Sequence, residues 1–195
     1  MKEKFVFNIP KFGTDKEHNI LYITGSIGAG KSILAETYSG VLNPDFPTKV
    51  IHMDSYFDTP IEPMCYEFTE FLKKRLNLGE SFRPLSEGDL IIFLNAVEDF
   101  ARIYFISKDF GTRIIVEGLQ LADDRIPYER YFKDKPITIL YGNVFVNAFR
   151  ATKRNYGKVS LKNYISTLKL ALEWNNSIKK LIKHLEETNG SQNNA

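Results

Sequence analysis

Apolar residues recur along this chain in two rhythms. The first is a set of short, nearly continuous runs: "ILYIT" at 20–24, "KVIHMD" at 49–54, "RIIVEG" at 113–118 and "PITILYG" at 136–142. Runs of this length, rich in β-branched residues, predict strands buried on both faces, the environment of a parallel sheet. Between them the spacing changes to threes and fours. It predicts helices over 32–42, 65–79, 89–109, 143–155 and 160–187. Phe68, Leu72 and Leu76 share one face of the second helix, which stops at Gly79. Asp89 is a favourable first-turn acid for the third. Ser160 caps the last helix, whose apolar face runs from Leu161 through Leu168 and Leu172 to Leu185. "NPDFP", "SYFDTPIEPM" and "SFRPLSEG" are loops. The polar segment "TNGSQNNA" (188–195) predicts a disordered tail, and the chain shows no internal repeat.

Strands alternating with helices predict an α/β fold: three layers, with a parallel sheet covered on both faces. Ligands of such folds gather at the carboxyl ends of the strands. Gly25, Asp54 and Glu117 all fall at strand ends, so they form one candidate site rather than three scattered positions.

Composition narrows the class. A chain of 195 residues, 43% apolar and 26% charged, fits one globular domain, here expected over 1–187. No apolar run approaches the ~20 residues of a membrane span. The first nineteen residues are interrupted by Asn8, Pro10 and Gly13 and lack the apolar core of a secretory signal. A single cysteine, Cys65, excludes an intrachain disulfide. Together these predict a cytoplasmic protein. The net charge of +2 is too small to argue for nucleic acid, but it is uneven: +1 over 1–19, −6 over 20–100 and +7 over 101–195. The simpler reading of the basic half is a solvated helical face plus a few arginines needed locally, so neither a nucleic-acid nor a membrane partner is expected.

The strongest chemical signal is "GSIGAGKS" at 25–32, directly behind the first strand and opening the first helix. It satisfies G-x-x-x-x-G-K-[ST] in full through Gly25, Gly30, Lys31 and Ser32. Gly25, Ser26, Ile27, Gly28, Ala29 and Gly30 would curl their backbone into an anion cradle at the helix N-terminus. Lys31 would reach the β- and γ-phosphates of a nucleotide, and the Ser32 hydroxyl would hold Mg²⁺. The guanine-reading N/T-K-x-D segment of GTPases is missing: "KDKP" at 133–136 does not fit it. The third strand is followed by "EG" rather than a switch-type D-x-x-G. Arg150, Lys153 and Arg154 stand at i, i+3 and i+4, on one helical face.

In order and spacing, "ITGSIGAGKS", "IHMDSYF", "IIVEGLQL" and "FRATKRN" resemble the P-loop kinases of the uridine kinase and phosphoribulokinase group. The segment "LKKRLNLGESFRPL" (72–85) is similar to that group's helix ending in Gly with a Pro beyond it, so the resemblance runs through most of 20–158. It implies a P-loop NTPase fold with a helical acceptor-binding lobe over 56–110 and a short lid over 150–158. It implies ATP and Mg²⁺ as cofactors. Asp54 would activate the acceptor hydroxyl or bind Mg²⁺ through water, Glu117 would sit near the metal, and Arg150 and Arg154, with Lys153, would close over the transferring phosphoryl group. Gly118 would let backbone pass close to the phosphates. The chain departs from the group where nucleosides are read: Thr59 stands in place of a histidine, "LSEGD" follows Pro84, and Asn155 follows Arg154 in place of an aspartate.

The reading is therefore an ATP-dependent phosphotransferase acting on a hydroxyl of a small molecule, with a nucleoside as one option. Two rivals stand beside it. One is a polynucleotide or toxin-type kinase with a larger acceptor. The other is an ATP-binding regulatory module with little turnover. The acceptor, the base preference and the oligomeric state, a homodimer included, are left open. His52 and Cys65 are expected to be core residues and Trp174 packing for the last helix. The Phe100, Tyr104 and Phe105 cluster is expected in the core, with a nucleoside-stacking role as its alternative.

Overall fold

The four apolar runs are the four strands: β1 (Ile20–Gly25), β2 (Thr48–His52), β3 (Arg113–Glu117) and β4 (Ile137–Leu140). They form one parallel sheet in the order β2-β3-β1-β4. The computed structural model describes residues 20–41, 48–57, 65–76, 89–107, 113–132 and 135–192. β1, fully buried along its length, lies between β3 and β4. Because all strands run the same way, their carboxyl ends share one edge, and the loop after β1 and the residues closing β2 and β3 meet there.

Alternation along the strands divides the core in two. Leu21 and Ile23 of β1 and Ile115 of β3 pack with Ala35 of α1 (Lys31–Val41) on one face. Ile20, Tyr22, Ile114 and Val116 point the other way into the larger core. That core is completed by α3 (Tyr66–Leu76), α4 (Asp89–Ser107), α5 (Tyr128–Phe132) and the long α7 (Leu161–Gln192). Phe68 of α3 is fully buried, with the rings of Tyr56, Phe93 and Phe100 at 5.6, 5.4 and 5.2 Å in edge-on contact. Burying one such side chain contributes roughly 1.5–3 kcal/mol. Cys65 and Phe100 are core residues, as expected, and Trp174 packs partly buried against the same core. The side chains of Tyr104 and Phe105 lie outside the described residues, as do Thr59 and the segments 58–64 and 77–88 that belong to the expected acceptor lobe.

The elements differ from the periodicity in several places; β4, for one, ends at Leu140 rather than 142. β2 ends at His52 rather than 54, because Met53 turns and Asp54 opens a single helical turn, α2 (Asp54–Phe57). The segment after β3 holds a 3₁₀ turn (Leu119–Ala122) and α5, both too short to carry a helical period. α7 continues to Gln192, so 188–192, expected to be disordered, is helical. No proline interrupts that stretch, and a single glycine inside a helix costs only about 1 kcal/mol against propagation. Among the described residues no helix is long and apolar enough to cross a membrane.

Candidate functional site

The loop 25–30 closes β1 and hands the chain to α1 through two tight approaches. Gly25 has φ +144°, and a Cβ there would lie 2.0 Å from the Leu140 carbonyl oxygen of β4. Gly28 has φ +74°, and its Cβ would lie 2.3 Å from the Asn147 carbonyl of α6 (Val144–Tyr156). Neither position admits a side chain, so glycine here is dictated by neighbouring backbone as well as by the left-handed turn. Two of the loop's amides hold its own shape: Ser26 N donates to Leu140 O (2.8 Å) and Ala29 N to Ser26 O (3.1 Å).

Lys31 is 8% exposed, and its ammonium folds back to donate to the Ser26 carbonyl at 3.4 Å. Burial lowers its pKa; the carboxylates of Glu117 and Asp54 oppose that fall, and the Arg154 guanidinium adds to it.

Glu117, the last residue of β3, is 1% exposed. Its Oε1 accepts from the Ser32 hydroxyl at 3.0 Å. The same oxygen lies 2.6 Å from Nδ1 of His52. Burial pushes the carboxyl upward, but the His52 hydrogen bond, the Lys31 charge and the Ser32 hydroxyl outweigh it and hold it below the usual range. The expectation for His52 as a packed strand residue is half right: it is buried, at 7% exposed, yet its ring sits on a site carboxylate. The signal was available in the polar side chain placed between Ile51 and Met53, both fully buried, since a buried polar group needs a partner. Gly118 has a packing reason of its own, beside the one implied by resemblance. A Cβ there would meet the Met53 Cβ at 2.6 Å, so glycine lets the two strand ends close.

Arg150, Lys153 and Arg154 do share the exposed face of α6. The opposite face buries Asn147, Ala148, Ala151 and Thr152, and carries the contact with Gly28. Asn143 starts this helix by accepting from the amides of Phe145 (3.0 Å) and Val146 (3.3 Å), and Gly157, at φ 66°, ends it.

The donor set suits a magnesium nucleotide. Ser26 Oγ, Asp54 Oδ1 and Glu117 Oε2 are buried without a hydrogen-bond partner among the described residues. They are hard oxygen donors beside a loop shaped for phosphate. Among the described residues no three His, Cys, Asp or Glu side chains gather as a metal cage. Magnesium does not ask for one, because it binds through one or two carboxylates, waters and substrate phosphates.

Fold and loop together define an α/β protein with a phosphate-binding loop. No family model matches the chain, and no curated protein matches it. Among solved structures it is similar to a gluconokinase from Sinorhizobium meliloti 1021, at 18% identity and TM-score 0.43, over 80% of this chain and 74% of that one. It is also similar to a chain of the Pnkp1/Rnl/Hen1 RNA repair complex, at 14% identity and TM-score 0.46. There 86% of this chain is covered, and it spans 47% of the other.

Proposed function

We propose that the protein is an ATP-dependent phosphotransferase that moves the γ-phosphate of Mg-ATP to a hydroxyl of a small molecule, a nucleoside being one candidate. One observation carries this reading: the phosphate-loop residues Lys31 and Ser32 converge with Glu117 and Asp54 at the carboxyl edge of the sheet. The likeness of "IHMDSYF" and "IIVEGLQL" to segments of the uridine kinase and phosphoribulokinase group supports it.

The roles follow from the chemistry. The loop 25–30 and Lys31 bind the triphosphate, Lys31 exchanging its bond to Ser26 O for phosphate oxygens. Ser32, Glu117 and Asp54 would hold the metal, directly or through water; bound magnesium neutralises charge on the phosphates. Asp54, an acceptor-only carboxylate, takes the proton of the acceptor hydroxyl as its oxygen attacks the γ-phosphorus and ADP leaves. Arg150 and Arg154 neutralise charge on the transferring oxygens and exclude water.

A second reading is favoured by one feature. From Asn143 to Leu172 the chain carries Arg150, Lys153, Arg154, Lys158, Lys162 and Lys169 and no acidic residue. That stretch suits a larger, polyanionic acceptor such as a 5′-hydroxyl oligonucleotide.

The test is ADP release from Mg-ATP with nucleosides, sugars, other small alcohols and 5′-hydroxyl oligonucleotides, against an acceptor-free control, with Asp54→Asn beside the wild type. Stimulation by one small hydroxyl class, lost in the variant, is expected. Salt-sensitive stimulation by oligonucleotides alone would establish the second reading. Tight ATP binding with no stimulation by any of them would overturn both in favour of a binding module.

A further inference from the structure

β2 and β3 pair in parallel with His52 directly opposite Glu117. The side chains are 8% and 2% exposed, and Nδ1 approaches Oε1 to 2.6 Å. Ser32 Oγ reaches the same oxygen at 3.0 Å. Below it, Met53 N donates to the Glu117 carbonyl at 2.8 Å, so the backbone on both sides of the pair is fixed as well. The result is an asymmetric carboxylate. Oε1 is held from two sides, whereas Oε2 is buried and makes no hydrogen bond among the described residues. A glutamate at a strand end has three side-chain torsions to order. A ring nitrogen carried by the neighbouring strand, on a side chain only 8% exposed and in register with Glu117, restricts that freedom.

We propose that His52 is a positioning residue. Its Nδ1–H clamps Glu117 Oε1 and thereby presents Oε2 to the magnesium of the bound nucleotide or to that metal's water. This rests on the phosphotransferase reading and adds to it a residue that touches neither metal nor substrate. The arrangement has the form of a metal-binding group oriented by an outer partner, whose loss typically costs 10- to 100-fold in metal affinity. Glu117 keeps its hydrogen bond from Ser32 when His52 is removed, since a hydroxyl that binds metal through its oxygen can still donate its proton; what is lost is the second tether on Oε1, the one that fixes which way Oε2 faces.

The experiment is nucleotide binding by calorimetry, with ATP in magnesium and ATP in EDTA, for wild type, His52→Leu, His52→Gln and His52→Asn. The asparagine amide nitrogen occupies nearly the place of Nδ1; the glutamine amide is displaced one bond further. The expected result is that the leucine and glutamine variants lose about tenfold of the affinity gained from magnesium, with metal-free binding within about twofold of wild type. Asparagine restores the gain. Thermal melting of the same samples reports the fold, and the glutamine variant carries the test if leucine does not fold. Equal weakening with and without magnesium would reduce His52 to a structural residue and overturn the proposal, as would an unchanged magnesium gain. If the wild type itself gains nothing from magnesium, the phosphotransferase reading falls and the proposal with it. If the wild type gains and the His52 variants match it, only the positioning role falls.

Discussion

Lys31 and Glu117 show how one side chain's surroundings set its chemistry. The lysine is buried, tethered to Ser26 O at 3.4 Å, and held below its usual pKa by that burial. Incoming phosphates would supply the anionic partners that burial makes valuable. Lys31→Ala is expected to weaken ATP binding about 10- to 100-fold, the worth of a charged hydrogen bond, measured by titration calorimetry. The glutamate runs the other way. Its folded carboxyl titrates below the unfolded value, so its contribution to stability is fully present above the ordinary glutamate pKa of about 4.3 and is lost as pH falls through the lower folded value. Glu117→Gln removes that contribution. Acid unfolding followed by circular dichroism is expected to be less steep below about pH 4.3 in the variant; an unchanged profile would show that the carboxyl is not depressed.

Two elements depend on contacts that no propensity records. Gly28 is held against the Asn147 carbonyl, so the phosphate loop and α6 are built as one unit. Gly28→Ala forces a methyl group into that 2.3 Å approach on a backbone at φ +74°. A cost of roughly 1–3 kcal/mol in stability is expected, with weakened ATP binding, read by denaturant unfolding and calorimetry on the same protein. Ala at Gly30, where nothing lies within 4 Å of a Cβ, is the control for φ alone, since Gly30 is also left-handed at +90°. In α3, Phe68 is enclosed by three edge-on rings, and Phe68→Ala is expected to cost about 3–5 kcal/mol. Cooperative unfolding at unchanged denaturant would contradict that packing.

Across the molecule, charge links parts far apart in sequence. The Arg154 charge near the end of α6 bears on Lys31 at the start of α1, and α6 itself packs on the loop that leads into α1. A non-hydrolysable ATP analogue with magnesium is therefore expected to raise the melting temperature and to slow amide exchange over 150–156. Exchange unaffected there, with binding intact, would separate α6 from the nucleotide. The same stretch carries the chain's acid-free basic run, so oligonucleotide competition for that protection tests the larger-acceptor reading directly.

What could be read from the chain alone was whatever depends on near neighbours. Short continuous apolar runs and three-to-four spacing predict β1 to β4 and the five longer helices, because each pattern must face a core whichever core it is. The spacing of Gly25, Gly30, Lys31 and Ser32 predicts a phosphate loop, because a tight turn and a helix start are local events. Boundaries near residues 53 and 188 were misread, since a single helical turn at Asp54 and the continuation of α7 to Gln192 carry no period of their own. Only the tertiary structure could pair His52 with Glu117, 65 residues apart, or seat Gly28 on Asn147. Strand register and interhelix packing create those contacts. A one-residue slip of β2 against β3 would turn the imidazole to the opposite face of the sheet, away from the carboxylate it holds.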